Sequence, residues 1–309
     1  MDNRILLAAA PLAEAVEALA GRDGADVDRA LAADGGLAAL LARVDRACDD
    51  AYTHGAATAE LAVQRALYEI YKLHVVLRPP GTRSGEGSFV LDAVRTRIEA
   101  RFLASLDRAV PEDLVAGVPA DPEACHRRLL EIVDGHPANH HPLYVEYLPE
   151  RAGHEDLKYF LTQESTIDAN TDDFLALLQV GAAGPPKMEI AANYWDEMGN
   201  GEPARCHSTL FVQAVAALGG EVGGGALETA ALACGNLQLM LSLRRRHFYK
   251  AIGYFFATEH MAPGRFKSLM VAWRRNALKA TGAGYHEIHI PLDVQHSNRW
   301  FDNVIAPVV

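Results

Sequence analysis

Alanine and leucine recur three and four positions apart along most of the chain, and runs that alternate β-branched with polar residues are scarce. That is the period of a helix, so the fold class is predicted as all-α, a helical bundle preceded by an N-terminal helical extension. The periodic segments are 4–20, 26–52, 56–77, 89–108 and 121–133, then 156–180, 185–199, 203–218, 224–260, 263–280 and 291–304. "LRPPGTRSGEGS" at 77–88 and "DGHPANHHP" at 134–142 are dense in turn residues and read as loops. The chain is accordingly divided into an N-terminal helical layer, 1–135, and a helical core, 136–309. No repeat of solenoid period is visible.

With 309 residues, half of them apolar, the chain can bury a full core. The formal charge of −11 argues against a nucleic-acid partner, which would need a basic stripe. The one basic run, "LRRRH" at 243–247, reads as the solvated face of a helix. Cys48, Cys125, Cys206 and Cys234 lie far apart without a CxxC, which fits reduced thiols in a cytoplasmic protein and excludes CxxC zinc sites. Pro11, Glu14 and Glu17 interrupt the first apolar stretch, so it reads as an amphipathic helix rather than a signal peptide, and no segment has the roughly 18 uncharged apolar residues of a membrane span. No membrane partner is expected. The helices at 4–20 and 56–77 carry more apolar surface than a peripheral layer requires, which predicts a homodimer built by two-fold packing.

Candidate chemistry gathers in the C-terminal half. In "YHEIHIPLDVQHSNRW", residues 285–300, the spacing of His289, Asp293 and His296 places two imidazoles and a carboxylate within roughly 60° on one helix face. Pro291 lacks an N–H and would clash with the carbonyl of Glu287, so a regular helix is expected to begin at Pro291, leaving His289 at a frayed entry. The set suits an oxygen-activating iron site or a zinc site, and in a chain of 13 histidines it also fits a solvated face.

Three further segments contribute. "NYWDEMGNGEPARCH" at 193–207 carries Glu197 and His207 on either side of a Gly-Asn-Gly-Glu-Pro break, which reads as a helix C-cap followed by a new helix and would let both side chains point at one cavity. Tyr194 and Trp195 read as core aromatics rather than redox relays. Glu259 follows the apolar surface of Ile252, Phe255 and Phe256; by itself it reads as exposed near a helix end set by Pro263. Glu164, in "YFLTQESTID", borders the apolar stripe of its own helix and taken alone reads as a hydrogen-bonded boundary residue. Mixed carboxylate and imidazole ligands drawn from several helices are how bundle proteins hold two irons.

The order Glu197, His207 ten residues on, a separate Glu259, then His289-x-x-x-Asp293-x-x-His296 resembles the haem-oxygenase-like diiron oxidases and oxygenases, often labelled iron-containing redox enzymes. The resemblance spans roughly residues 140–309, and its last motif is the most specific. It implies a haem-oxygenase-like fold without haem and two irons in the core, with Glu164, Glu197, His207, Glu259, His289, Asp293 and His296 as the ligand set and O2 as co-substrate. Some members oxygenate amine or guanidine nitrogens; others desaturate or cleave C–C bonds in fatty acids or amino acids. The wide Glu197 to His207 spacing, with Glu164 upstream, resembles the N-oxygenating members, which recruit an extra carboxylate. Cleaving members carry a glutamate three or seven residues before the histidine, where this chain has Ala204 and Asn200. The stretch from Glu164 to Glu197 is longer than in such relatives, through "GAAGPPK", which leaves Glu164 open as a residue beside the ligands rather than one of them.

The leading expectation is therefore a non-haem diiron oxygenase acting on an amine or guanidine nitrogen of a small molecule or amino acid, with Glu197 as catalytic ligand and an external reductant as partner. Oxidative C–C cleavage or desaturation on the same cluster is the alternative within the family. A metal-free helical binding or dimerisation protein is the alternative of another class.

Overall fold

The helices of the N-terminal part follow from the spacing of their apolar side chains. In the computed structural model, which describes residues 10–32 and 35–309, α1 (Leu12–Ala20) buries Leu12, Ala15, Val16 and Leu19, and α2 (Gly24–Ala32) buries Val27 and Leu31. Next, α3 (Gly36–Tyr52) buries Leu40, Val44 and Cys48, α4 (Ala57–Val75) buries Val63, Leu67 and Ile70, and α5 (Phe89–Ala109) buries Val90, Val94, Ile98 and Phe102. Steps of three and four put these residues on one face of each helix, and each large apolar side chain so buried contributes about 1.5–3 kcal/mol. The apolar faces of α1 and α4, which suggested a subunit interface, pack on each other inside the chain. At the start of α5, Asp28 accepts from the Ser88 hydroxyl and from the amides of Phe89 and Val90, which satisfies the first donors of the helix. One compact unit extends through Pro111 and takes in residues 228–236, whose Asn236 donates to the Gln64 carbonyl and side chain.

The helix expected over 26–52 is two helices, with Gly35 in the left-handed region (φ 74°) just before α3. The first residues of the segment expected over 4–20 lie outside the described residues.

The second unit holds residues 112–227 and 237–309. Its longer helices are α6 (Pro122–Asp134), α7 (His154–Glu164), α8 (Thr171–Leu178), α9 (Gly184–Glu197), α10 (His207–Ala217), the latter half of α11 (Thr229–Leu243), α12 (Phe248–Arg275) and α13 (Gly284–Trp300). All regular structure among the described residues is helical. None of these helices is long and apolar enough to cross a membrane.

Four boundaries differ from expectation. The segment 156–180 breaks over 165–170, and 224–260 breaks at Arg244–His247. There Arg245 donates to the carbonyls of Leu178, Val180 and Ser242, so part of the basic run caps the end of α8 instead of decorating a solvated helix face. The expected breaks at the two prolines do not occur: Pro263 lies inside the 28-residue α12 and Pro291 inside α13. Pro291 and Glu287 are both exposed, so the carbonyl that loses its helical donor can turn to water.

Helices α12 and α13 pack along each other. At one end, Phe255 stacks on Trp300, and the Trp300 indole donates to the Ile252 carbonyl at 2.9 Å. At the other, Phe266, Leu269, Met270, Trp273 and Tyr285 join Leu157, Leu161 and Phe211 in one apolar cluster. The turns between these two apolar layers carry Glu259 on α12 and His289, Asp293 and His296 on α13.

Candidate metal centre

Because α13 is helical through Pro291, His289, Asp293 and His296 share its inward face, and all three are buried. The frayed entry expected for His289 is corrected: its ring Nδ1 lies 2.6 Å from the Tyr285 carbonyl one turn back, which fixes the ring. Glu259 is likewise buried in mid-helix, not exposed near a helix end, because α12 continues past Pro263.

Glu197 and His207 reach the same place through a tight double turn. α9 ends at Glu197 with Met198 as its cap, and Gly199 takes φ 62°; a Cβ there would lie 2.4 Å from the Arg205 carbonyl carbon, so the chain can fold back this closely only at glycine. Turns at Gly199–Gly201 and Pro203–Arg205 then deliver His207 to the first position of α10. Its Nδ1 stands 2.9 Å from Glu197 Oε2, out of line for a hydrogen bond, so neither ring nitrogen of His207 has a hydrogen-bond partner. His289 Nε2 lies 3.6 Å from the other Glu197 oxygen.

The side chains thus form two buried groups. In one, single ligand atoms of Glu197, His207 and His289 lie within 4.8 Å of one another; in the other, those of Glu259, Asp293 and His296 do. Within the second, His296 Nδ1 is 3.4 Å from Glu259 Oε2, and Asn193 donates to Glu259 Oε1 at 3.4 Å. A cavity of about 50 Å³ touches both groups through Glu197, His289, Glu259 and Asp293. Ile167, Phe255, Ala262 and Phe266 make its apolar wall, while Asp168, Gln238 and Thr258 add polar groups.

Without a metal, the electrostatics of this cluster are unbalanced. Burial works against every charge, yet the carboxylates hold His289 and His296 protonated, up to about 10: Asp293 and Glu197 act on His289, Glu259 and Asp196 on His296. Glu197, though buried, is held far below the usual carboxylate range by His207 and His289. Asp293 goes the other way: burial, then the charges of Glu259 and Glu197, push it well above its ordinary value against the pull of His289 and His296. Opposed shifts of this kind in one cavity make the cluster a candidate functional site.

Glu164 stands apart from both groups. It closes α7, half-buried, with its carboxyl raised by burial and drawn back by the nearby Arg265. Four residues on, in the break that the helical period of 156–180 concealed, Asp168 lines the cavity with Oδ2 buried and unpartnered. Burial, then Glu164 and Glu197, push its carboxyl well up. Sequence reading also passed over Asp196, whose Oδ2 is 3.2 Å from His296 Nε2, and His286, fully buried with neither ring nitrogen bonded. Asp196 directly precedes Glu197, and His286 lies one turn before His289, so adjacency to predicted site residues was the available signal. Trp195 is not a core aromatic: it is 52% exposed, its ring laid against Gly201.

No curated protein matches the chain. The helical core has the haem-oxygenase-like fold, as the resemblance implied. Residues 158–309, which carry both buried groups, match the family model described as iron-containing redox enzyme, and this match supports an iron oxidoreductase.

Proposed function

We propose that the chain is a non-haem diiron oxygenase that uses O2 to oxidise an amine or guanidine nitrogen of a small molecule or amino acid. The observation that carries this reading is the pair of buried groups, each mixing imidazole with carboxylate, on the wall of one cavity. The donor atoms fit cations: His207 Nε2 and Asp293 Oδ1 are buried without hydrogen-bond partners, a state that costs about 1–3 kcal/mol per group unless something fills it, and His207 Nδ1 and His296 Nδ1 face carboxylate oxygens of their own groups at 2.9 and 3.4 Å. Glu197, His207 and His289 would hold one iron, and Glu259, Asp293 and His296 the other. Bound iron would supply the redox steps and the site for O2 that no side chain offers.

The chain's own groups do the rest. Protons kept on His289 and His296 in the metal-free protein leave as cations take their place, so loading releases protons. Phe255, Phe266 and Ile167 keep bulk water from the carboxylates, which strengthens their hold on positive charge. Asp168 brings to the cavity the additional carboxylate expected of Glu164, and with the ten-residue Glu197 to His207 spacing it supports nitrogen as the atom oxidised. For an amine the balance is R–NH2 + O2 + 2 e⁻ + 2 H⁺ → R–NHOH + H2O, so an external reductant provides the electron pair.

The test is anaerobic Fe(II) loading with metal analysis, followed by 18O2, a reductant and a panel of amines and guanidines read by mass spectrometry. Two irons per chain and one labelled oxygen on nitrogen are expected. Product lacking label would move the assignment to cleavage or desaturation, and a chain that takes up no iron would leave a helical binding protein.

A further inference from the structure

The two groups meet in the chain at one dipeptide on the last turn of α9. Glu197 faces His207 and His289, while Asp196 reaches His296 of the other group. Asp196 Oδ2 lies 3.2 Å from His296 Nε2, and the opposite ring nitrogen, Nδ1, faces Glu259 with no hydrogen-bond partner of its own. A proton kept on Nε2 and donated to Asp196 leaves Nδ1 as the nitrogen free to ligate, and fixes the plane of the ring. The second oxygen of Asp196 is also engaged, since Oδ1 accepts from Asn200 Nδ2 at 3.2 Å. Asn200 adopts φ 56° and ψ 34°, between Gly199 and Gly201 that are themselves left-handed. Asparagine tolerates this region better than most side chains, and glycine at this position would keep the turn while losing the bond to Asp196. The His296 side chain is 1% exposed and that of Asp196 22%, so the contact lies at the edge of the buried group, where it gives the ring its direction.

We infer that Asp196 is the positioning residue of His296, holding the Nε2 proton so that Nδ1 serves the second metal group, and that Asn200 in the left-handed turn holds Asp196 in place. The inference rests on the two-metal reading above. It means that the end of one helix sets ligand geometry in both groups, directly through Glu197 and indirectly through Asp196.

The test compares the full chain with Asp196→Asn and Asn200→Gly in anaerobic Fe(II) equilibrium dialysis. Long-range proton–nitrogen NMR of the imidazoles, with diamagnetic Zn(II) in place of iron and the His296 signal identified by its loss in His296→Gln, reports which nitrogen keeps its proton. The unaltered chain should bind two equivalents and show an Nε2 proton on His296. In Asp196→Asn a single amide oxygen must serve two donors, so one equivalent should weaken by about 10- to 100-fold with the other equivalent and the helical circular dichroism unchanged, and the Nε2 signal should shift or vanish. Asn200→Gly should weaken the same equivalent by a smaller factor. If Asp196→Asn binds both equivalents with unaltered affinity and keeps the Nε2 signal, the positioning role is wrong while the two-metal reading stands. Fewer than two equivalents in the unaltered chain would overturn that reading and this inference together.

Discussion

Each unit buries a cluster of charges, and the two clusters are closed in opposite ways. In the first, Arg95 Nη1 donates to Glu99 at 2.9 Å, Arg95 also pairs with Asp92, and the Tyr71 hydroxyl donates to Glu99. The Arg95 and Glu99 side chains are 4% and 1% exposed, and the guanidinium meets the buried carboxylate within one helix turn. The cluster of the second unit has no such partner: Glu197, His207, His289, Glu259, Asp293 and His296 include no lysine or arginine. Its carboxylates are met by protons on histidine, and several buried donor atoms have no partner. The buried pair of Arg95 and Glu99 balances within the chain and supports the fold, whereas the second cluster has no cationic side chain of its own and is suited to a bound cation.

The comparison can be broken hardest in the first unit. Arg95→Ala should leave the Glu99 carboxylate buried without its cation and cost about 3–5 kcal/mol by urea denaturation, while an apolar pair such as Arg95→Met with Glu99→Leu should recover most of the loss. A loss below 1 kcal/mol for Arg95→Ala would show that this pair is not what closes the cluster.

In the second unit the next largest effect is acid sensitivity. Burial, then the neighbouring charge of His289, holds His286 down at about 3, against roughly 6.5 in an unfolded chain. Between those values the unfolded chain binds the proton and the folded one does not, so stability is present above about 6.5 and is lost as pH falls, at about 1.4 kcal/mol per pH unit. Replacing His286 with leucine should remove roughly 2–3 kcal/mol of the stability lost between pH 6.5 and 4.5 in the metal-free chain. Equal pH slopes in the two proteins would refute the buried neutral histidine.

A smaller effect should have the opposite sign from that in the first unit. Asp293 is disfavoured as an anion by its surroundings, so Asp293→Asn should leave the metal-free chain unchanged or stabilise it by up to about 1 kcal/mol, while one iron equivalent is lost on loading. Destabilisation, or full iron content, would contradict it. The smallest effect sharpens the contrast within α13 itself: Glu287→Ala, on the solvent face with a long pair to Arg274 at 3.5 Å, should change stability by less than about 0.5 kcal/mol and leave iron content as it is.

Much of the candidate site was legible because its pieces are local. His289, Asp293 and His296 share a face by spacing alone, and the glycines after Glu197 announce the turn that returns His207. Helices 57–75, 89–109 and 122–134 were readable from their apolar period to within two residues at each end, while their caps, Ser88 and Asp121 among them, were read only in the structure. Less legible were the prolines, because a proline within a helix removes one bond and adds one clash, and whether the helix survives depends on packing from other parts of the chain. Asp168 was hidden for a related reason: an apolar period can run through a break that only neighbouring helices impose.

By itself the sequence determined an all-helical chain, the inward face of α13, and a set of carboxylates and imidazoles with too few cations to balance them. Those properties depend on residue type and on the helical period, both of which are local. The tertiary structure decided that α12 continues through Pro263 and so buries Glu259, that Asp168 lines the cavity while Glu164 does not, and that Asp196 meets His296 across 100 residues of chain. These are choices of which groups lose water together, and they are made by packing over distances that no local pattern records.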